Sequence, residues 1–321
     1  VRHLRAAHET KKAQDIGASL AETGDKETAL AALMAMESES QNATIAGDDA
    51  EKLLIESLEN KAEGLKTGLA DLDALLGGLE PADLCIIAAR PRMGKTAALL
   101  NVLDAQPEPC LMFSLEMSAA QLMKRRLSAK GFDYNKLRNH RLLPDYERAR
   151  IAKAVKELKR DLWINDTAAL PIGELEAEAY RMTKTHGVKL IAVDYLQLVT
   201  SRAENRLEEV SEVSRRLKKI AKRCNVPVIA LCQLNRAIEH RGKGEPKLSD
   251  LRESGQIEQD ADQIIFIDRP EVHVAGIKPG IAEIHVAKNR SGVTGNVDVI
   301  WQGHYQRFVN VAKREYQERY A

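Results

Sequence analysis

From residue 65 onward, short continuous apolar runs alternate with stretches whose apolar positions recur every three or four residues. The runs are Leu84-Cys85-Ile86-Ile87-Ala88, Cys110-Leu111-Met112-Phe113, Leu190-Ile191-Ala192-Val193, Val228-Ile229-Ala230-Leu231 and Gln263-Ile264-Ile265-Phe266-Ile267. Each has strand length and, apart from Gln263, is apolar, the pattern of a strand buried on both faces. The intervening stretches, around 95–104, 118–130, 145–159, 173–186 and 206–224, read as helices. The alternation predicts an α/β fold, a mostly parallel central sheet flanked by helices. Farther on, Glu283–Ala287 and Val297–Trp301 alternate apolar with polar, which predicts a hairpin.

Residues 1–63 read differently. The first forty or so are Ala-rich and helix-like, and Ser38 to Asp49 is a small, polar linker. In Glu51 to Glu63, Leu54, Ile55, Leu58 and Ala62 fall on one helical face, and Gly64 ends the pattern. That stripe has two readings, packing on its own domain or docking on a neighbouring subunit, because periodicity identifies a face and not its partner. The division is an N-terminal helical segment with a linker helix, 1–63, and an α/β domain, 64–321.

Composition narrows the partners. The 48 Lys+Arg nearly cancel the 47 Asp+Glu, so a globally basic nucleic-acid coat is excluded while a local basic channel is not. Aromatic residues are only 4%, which argues against rows of stacking rings for a single strand. Apolar runs are too short for a membrane span, and Val1-Arg2-His3-Leu4 does not open a signal peptide. Cys85, Cys110 and Cys232 lie in apolar runs and read as buried thiols, with no metal spacing among the cysteines.

The sharpest local pattern is Ala89-Arg90-Pro91-Arg92-Met93-Gly94-Lys95-Thr96, which follows a strand and opens a helix. Such a loop turns backbone N–H groups, from Arg92 through Ala97, toward phosphate oxygens. Lys95 would reach the β/γ-phosphates and Thr96 would give its hydroxyl to Mg²⁺. The first position is Ala89 where the general P-loop pattern has Gly. Asp194 ends an apolar run, where it would serve as the second metal-holding carboxylate or as a turn residue. Hydrolysis also needs a group to orient water. Asp194 is followed by Tyr195 rather than Glu, so Glu116, just past the run Leu111–Phe113, is the candidate. Gln233 follows Val228–Leu231 at the same sheet edge, where a neutral amide can sense the γ-phosphate.

These residues together resemble the DnaB-type replicative DNA helicase family, with its RecA-like motor fold, over about residues 65–310. The resemblance runs through Thr67–Asp73, the P-loop with its initial Ala, Phe113-Ser114-Leu115-Glu116-Met117, Val193-Asp194-Tyr195-Leu196-Gln197-Leu198 and Cys232-Gln233-Leu234-Asn235-Arg236. Its most specific stretch is Ser249-Asp250-Leu251-Arg252-Glu253-Ser254-Gly255 through Asp262. It implies ATP and Mg²⁺ at Lys95, Thr96 and Asp194, with Glu116 as catalytic base and Gln233 coupling the γ-phosphate to DNA loops. It implies that Arg290, with Lys288 beside it, reaches the nucleotide of an adjacent subunit as an arginine finger. It also implies that Arg252, Glu253 and Gly255 belong to a central-channel loop gripping single-stranded DNA. The implied protein is a cytoplasmic homohexamer moving 5′ to 3′, with primase and a helicase loader as partners, and the 51–63 helix docks on its neighbour. Residues 1–50 are too short for the family's N-terminal domain, so the sequence reads as a fragment or a divergent member.

Two further basic segments have open readings. Arg236, Arg241, Lys243 and Lys247 suit a second DNA-facing loop or a solvated one. The run Arg215–Arg223 reads mostly as a solvated helix surface. Two other functions compete, a RecA-like recombinase forming filaments and a nucleotide-binding module without turnover. The 249–262 stretch argues against the first, and the joint presence of Lys95, Thr96, Glu116, Asp194 and Arg290 against the second.

Overall fold

A computed structural model describes residues 64–311 apart from 140–142, 159–160, 202, 236–245, 252–254 and 274–275, together with 11, 14–19, 21, 24, 51, 52 and 55. Residues 14–19, 51, 52 and 55 are helical, and Ile55 is exposed. The rest of the 51–63 stripe lies outside the described residues, as do Arg252, Glu253, Arg236, Arg241 and Lys243.

In chain order the elements are α1 (Ala70–Leu76), β1 (Leu84–Ala89), α2 (Lys95–Ala105), β2 (Cys110–Ser114), α3 (Ala119–Ala129), α4 (Tyr134–Arg138) and α5 (Asp145–Glu157). There follow β3 (Leu162–Asn165), α6 (Ile172–His186), β4 (Leu190–Asp194), α7 (Arg206–Cys224), β5 (Val228–Gln233), α8 (Gly255–Asp260) and β6 (Gln263–Asp268). The last are α9 (Pro270–His273), β7 (Ile281–Asn289), β8 (Gly295–Gln302) and β9 (Arg307–Asn310).

The strands form one nine-stranded sheet in the order β3-β2-β4-β5-β1-β6-β7-β8-β9. From β3 through β6 every pairing is parallel, and β7, β8 and β9 continue antiparallel. The expected hairpin is β7–β8. Strand β1 lies at the centre with all six residues buried, and its side chains split by the two-residue period of a strand. Leu84, Ile86 and Ala88 enter a core with residues of α6, α7 and α8, such as Leu175, Leu217 and Ile257. Cys85, Ile87 and Ala89 enter a second core with residues of α1 and α2, such as Leu72, Leu99 and Leu103. Both faces are covered, which is why the strands carry no polar alternation. The four cysteines are free thiols, and Cys85, Cys110 and Cys232 are buried. No helix among the described residues is long and apolar enough to cross a membrane.

The basic run on α7 is less solvated than its composition predicts. Leu217, Ile220 and Ala221 are buried as its pattern requires. Arg216 and Arg223 both pair with Glu176 of α6, itself only 4% exposed, and Lys218 pairs with Asp262. Arg215, Lys219 and Lys222 remain outside these pairs, and all three are exposed. The charges therefore divide between interhelical ion pairs and water, because a helix that carries a base at nearly every turn position must turn some of them inward.

Candidate functional site

Six parallel strands ending along one edge bring β1, β2, β4 and β5 together where ligands of open α/β sheets bind. The loop after β1 reaches that edge first. Arg92 has φ 68° and Gly94 φ 103°, so the chain passes twice through the left-handed region before α2 begins. Gly94 is required on two counts. Its φ suits glycine, and a Cβ there would meet the Phe308 ring at 2.8 Å. Phe308 and Trp301, packed at 4.7 Å between ring centroids, thus back the loop from the hairpin. Gly94 caps α2 without a side-chain hydrogen bond, and the first turn holds no acid. The N–H groups at the start of α2 are thereby left for an anion. Met93 and Ala97 are buried, and Met93 N–H donates to the Arg90 carbonyl at 3.4 Å.

Lys95 and Thr96 open α2 and face the strand ends. The Thr96 hydroxyl donates to Asp194 Oδ2 at 2.8 Å. Lys95 Nζ donates to the Cys232 carbonyl at 3.1 Å and stands 5.4 Å from the centroid of the Tyr195 ring. Burial pulls Lys95 below the ordinary lysine range, against the charges of Asp194 and Glu116. Burial likewise pushes Asp194 above the ordinary carboxylate range, and the Glu116 charge adds to it while Thr96 and Lys95 oppose. Asp194 is 1% exposed, so an anion is held in a dry place and a cation there would lower its cost.

Glu116 follows β2 and is exposed. The turn that carries it is fixed at both ends. Leu115 N–H donates to the Asp194 carbonyl at 2.8 Å, extending the β2–β4 pairing, and Ser114 Oγ donates to the Met117 carbonyl at 2.6 Å. Its charge acts on Lys95, Asp194 and Tyr195 alike, so it shares their cleft. Gln233 is the last residue of β5, paired with Ala89 of β1. Directly beyond it Leu234 bridges Leu251, and Asn235 N–H donates to the Asp250 carbonyl at 2.9 Å. The segment 249–255 therefore starts beside Gln233, and Gly255 opens α8 in an exposed position.

Arg290 and Lys288 lie at the other edge. Strand β7 runs antiparallel to β6, with Asn289 opposite Gln263 and Glu283 opposite Asp268. Gln263 is four strand residues from Ile267, the partner of Ala89, a separation of about 13 Å at strand rise. Arg290 lies one residue farther away. It cannot reach the phosphate loop of its own chain. Its guanidinium, with 59% of the side chain exposed, donates from Nη1 to Asp262 Oδ1 at 3.0 Å. Asp262 also accepts from Leu84 N–H at 2.8 Å and pairs with Lys218. Lys288, on β7 two residues before Arg290, is held by α8. Its ammonium donates to the carbonyls of Glu258, at 2.6 Å, and Ala261, at 2.7 Å, closing the end of α8. Those carbonyls have no further helical turn to bond, and a lysine of the adjacent strand satisfies them.

The residues near Thr96 fit a magnesium ion. One carboxylate and one hydroxyl are hard oxygen donors, and Mg²⁺ takes few protein ligands beside phosphate and water. Among the described residues no group of three or more His, Cys, Asp or Glu could hold a metal by themselves. Sequence reasoning singled out neither Gln197, which bonds the tip of β5, nor Asp262, on which Arg290 rests. Both stand inside recognised motifs, and only strand register shows what they touch.

Comparison with known proteins gives the family and the fold. The family described as "DnaB-like helicase C terminal domain" matches residues 64–310. The replicative DNA helicase DnaB of Haemophilus influenzae is 43% identical over 281 residues, covering 83% of this chain and 60% of the relative. That of Buchnera aphidicola subsp. Baizongia pistaciae is 42% identical over 266 residues, covering 79% and 57%. The chain thus spans about 60% of the length of the curated relatives it matches. Among solved structures, one described as an ATPase domain superposes with TM-score 0.78 at 32% identity, covering 84% of this chain and all of that one. A DnaB-like replicative helicase described with its interactions with primase gives TM-score 0.81 at 29% identity, covering 97% and 77%.

Proposed function

The chain belongs to the DnaB-like helicase C-terminal domain family, and from that premise we propose that it is the motor of a replicative DNA helicase driven by ATP and Mg²⁺. Residues 64–321 are the RecA-like ATPase, and residues 1–63 supply an N-terminal segment and the linker helix. The working form is a homohexameric ring around single-stranded DNA, moving 5′ to 3′ in the cytoplasm of a bacterial or phage-infected cell. Primase and a helicase loader are its partners, the first in line with the primase interactions of the solved relative.

Each residue has a part. The loop from Arg92 to Ala97 holds phosphate oxygens by its N–H groups. Lys95 leaves the Cys232 carbonyl for the β/γ-phosphates, and its dry surroundings strengthen that contact. Thr96 and Asp194 would hold Mg²⁺, which would supply positive charge against the phosphate oxygens. Glu116, exposed at the cleft, takes the proton of the attacking water. Gln233 bonds the γ-phosphate and passes its presence to Leu234, Leu251 and the loop carrying Arg252, Glu253 and Gly255. That loop grips phosphates of the strand, which needs no base sequence. Arg290 completes the neighbour's site by stabilising transition-state charge in trans.

One observation carries the reading: the phosphate loop with its Thr96–Asp194 pair and Arg290 stand at opposite edges of the same sheet. Strand displacement on a forked duplex tests it. Unwinding that requires ATP and a 5′ tail, and disappears in Lys95→Ala, is the expected result. Absence of unwinding by the assembled parent chain contradicts it.

A further inference from the structure

Strand β5 is longer than its neighbour β4. The β4–β5 register runs from Ile191 opposite Val228 to Val193 opposite Ala230 and then stops, while β5 continues to Gln233. On its other side β5 remains paired to β1 through Gln233. The tip of β5 thus has backbone groups facing β4 with no strand to receive them, and such groups are costly to leave unpaired in the interior. Gln197 fills that place. It sits in the short turn Leu196–Leu198 just after β4. Its carboxamide oxygen accepts from Gln233 N–H at 3.3 Å, and its Nε2 donates to the Gln233 carbonyl at 3.3 Å and toward Cys232 Sγ at 3.0 Å. One side chain reproduces both bonds of a ladder partner. The Gln197 carbonyl in turn accepts from Arg206 at the start of α7.

We infer that Gln197 is a positioning residue that pins the tip of β5, so that a pull on the Gln233 side chain reaches the DNA-side bridge. This rests on the reading of Gln233 as the contact joining γ-phosphate to DNA. A loose tip would absorb that pull by bending. A tip fixed to the β4 turn passes it on to Leu234 and its bridge with Leu251. A carboxamide is required, because the role needs one donor and one acceptor on the same group.

The test measures ATP hydrolysis by the assembled full chain with and without single-stranded DNA, together with ATP affinity and thermal midpoint. Gln197→Ala is expected to lower the DNA-stimulated kcat about tenfold, roughly what losing one bidentate contact costs a step in which it acts. KM for ATP moves far less. Gln197→Glu keeps the acceptor for Gln233 N–H but cannot donate to its carbonyl, so it falls between parent and alanine variant. In a Gln233→Ala background, Gln197→Ala adds no further loss. Full DNA stimulation in Gln197→Ala, with stimulation lost in Gln233→Ala, overturns this inference alone. Losses that multiply in the double variant also overturn it, since Gln197 would then act elsewhere. Stimulation intact in both single variants overturns the reading of Gln233 and the inference with it. A thermal midpoint lowered in both Gln197 variants with kcat unchanged assigns the residue to stability only, against the inference.

Discussion

The two edges of the central sheet make opposite offers. At the carboxyl edge, Lys95, Thr96, Glu116, Asp194 and Gln233 stand at strand ends and at a helix start with no side-chain cap, and Thr96 bonds Asp194. That edge holds one buried carboxylate, Asp194, and one exposed, Glu116, and on the proposed reading it would need a further cation to stabilise a phosphoryl transition state. At the other edge, Arg290 rests largely exposed on Asp262, beside Lys218 and Asp83. That edge offers a cation, which solvent already reaches, anchored on a single carboxylate. Only the arginine side of this pair is exposed, while the buried Asp262 keeps Leu84 N–H and Lys218 as partners when the guanidinium leaves. The same strands hold the two edges apart, and no bending within a chain brings them together. On the reading proposed above, each edge would be half of a site, completed where the carboxyl edge of one copy meets the opposite edge of the next.

Substitutions at each edge sharpen that contrast. Arg290→Ala is expected to have the largest effect, a loss of about 10³-fold or more in kcat as for other arginine fingers. ATP affinity and the thermal midpoint should stay near the parent values. Glu116→Gln comes next, with kcat down by about 10² to 10⁴-fold and ATP binding retained in an equilibrium titration; full turnover would remove Glu116 from the role of base. Lys288→Met should cost stability first and turnover second. It leaves the Glu258 and Ala261 carbonyls unpaired, about 1–3 kcal/mol for a buried group, discounted because Lys288 is only half-buried. A loss of turnover as deep as that of Arg290→Ala, with stability unchanged, would instead place Lys288 at the neighbour's nucleotide.

The smallest effect concerns pH at the lower edge. Burial, with the charge of Asp262, pushes Asp83 up from 3.8 to about 6. A carboxyl whose folded-state value is raised binds its proton more tightly when folded. Its contribution is therefore fully present below the unfolded value and is lost as pH rises through about 6. Asp83→Asn should gain on the parent in thermal midpoint between those limits and keep a constant lead above them. A lead that shrinks as pH rises would reverse the assigned direction.

Much of this contrast is legible in the amino-acid sequence alone. The strands buried on both faces announce themselves as continuous apolar runs, and the helices between them by their stripes. The elements that escape such reading are short or edge-bound. Strand β3 has an exposed Trp163 and no alternation, because it closes the sheet with one side open. Strand β9 is four residues led by Arg307, and α8 begins at a glycine. At the carboxyl edge, the site residues stand at strand ends and a helix start, positions that motif spacing marks. At the other edge only Arg290 and Lys288 are marked, and only by family resemblance. Where Lys288 points is decided by the end of α8, and what Gln197 holds is decided by how far β5 outruns β4. Both are facts of register, which one sequence does not contain.

The central claim is that hydrolysis requires both edges, from different copies. Subunit mixing tests it most directly. Lys95→Ala disables the carboxyl edge and spares Arg290, while Arg290→Ala does the reverse. Each alone is expected to be inactive in ATP hydrolysis. Co-assembled over a range of ratios, the two should regain activity with a maximum at intermediate mixing, where an intact phosphate loop faces an intact arginine. Co-assembled mixtures that stay inactive at every ratio, or an Arg290→Ala protein that hydrolyses ATP at the parent rate, would contradict the account.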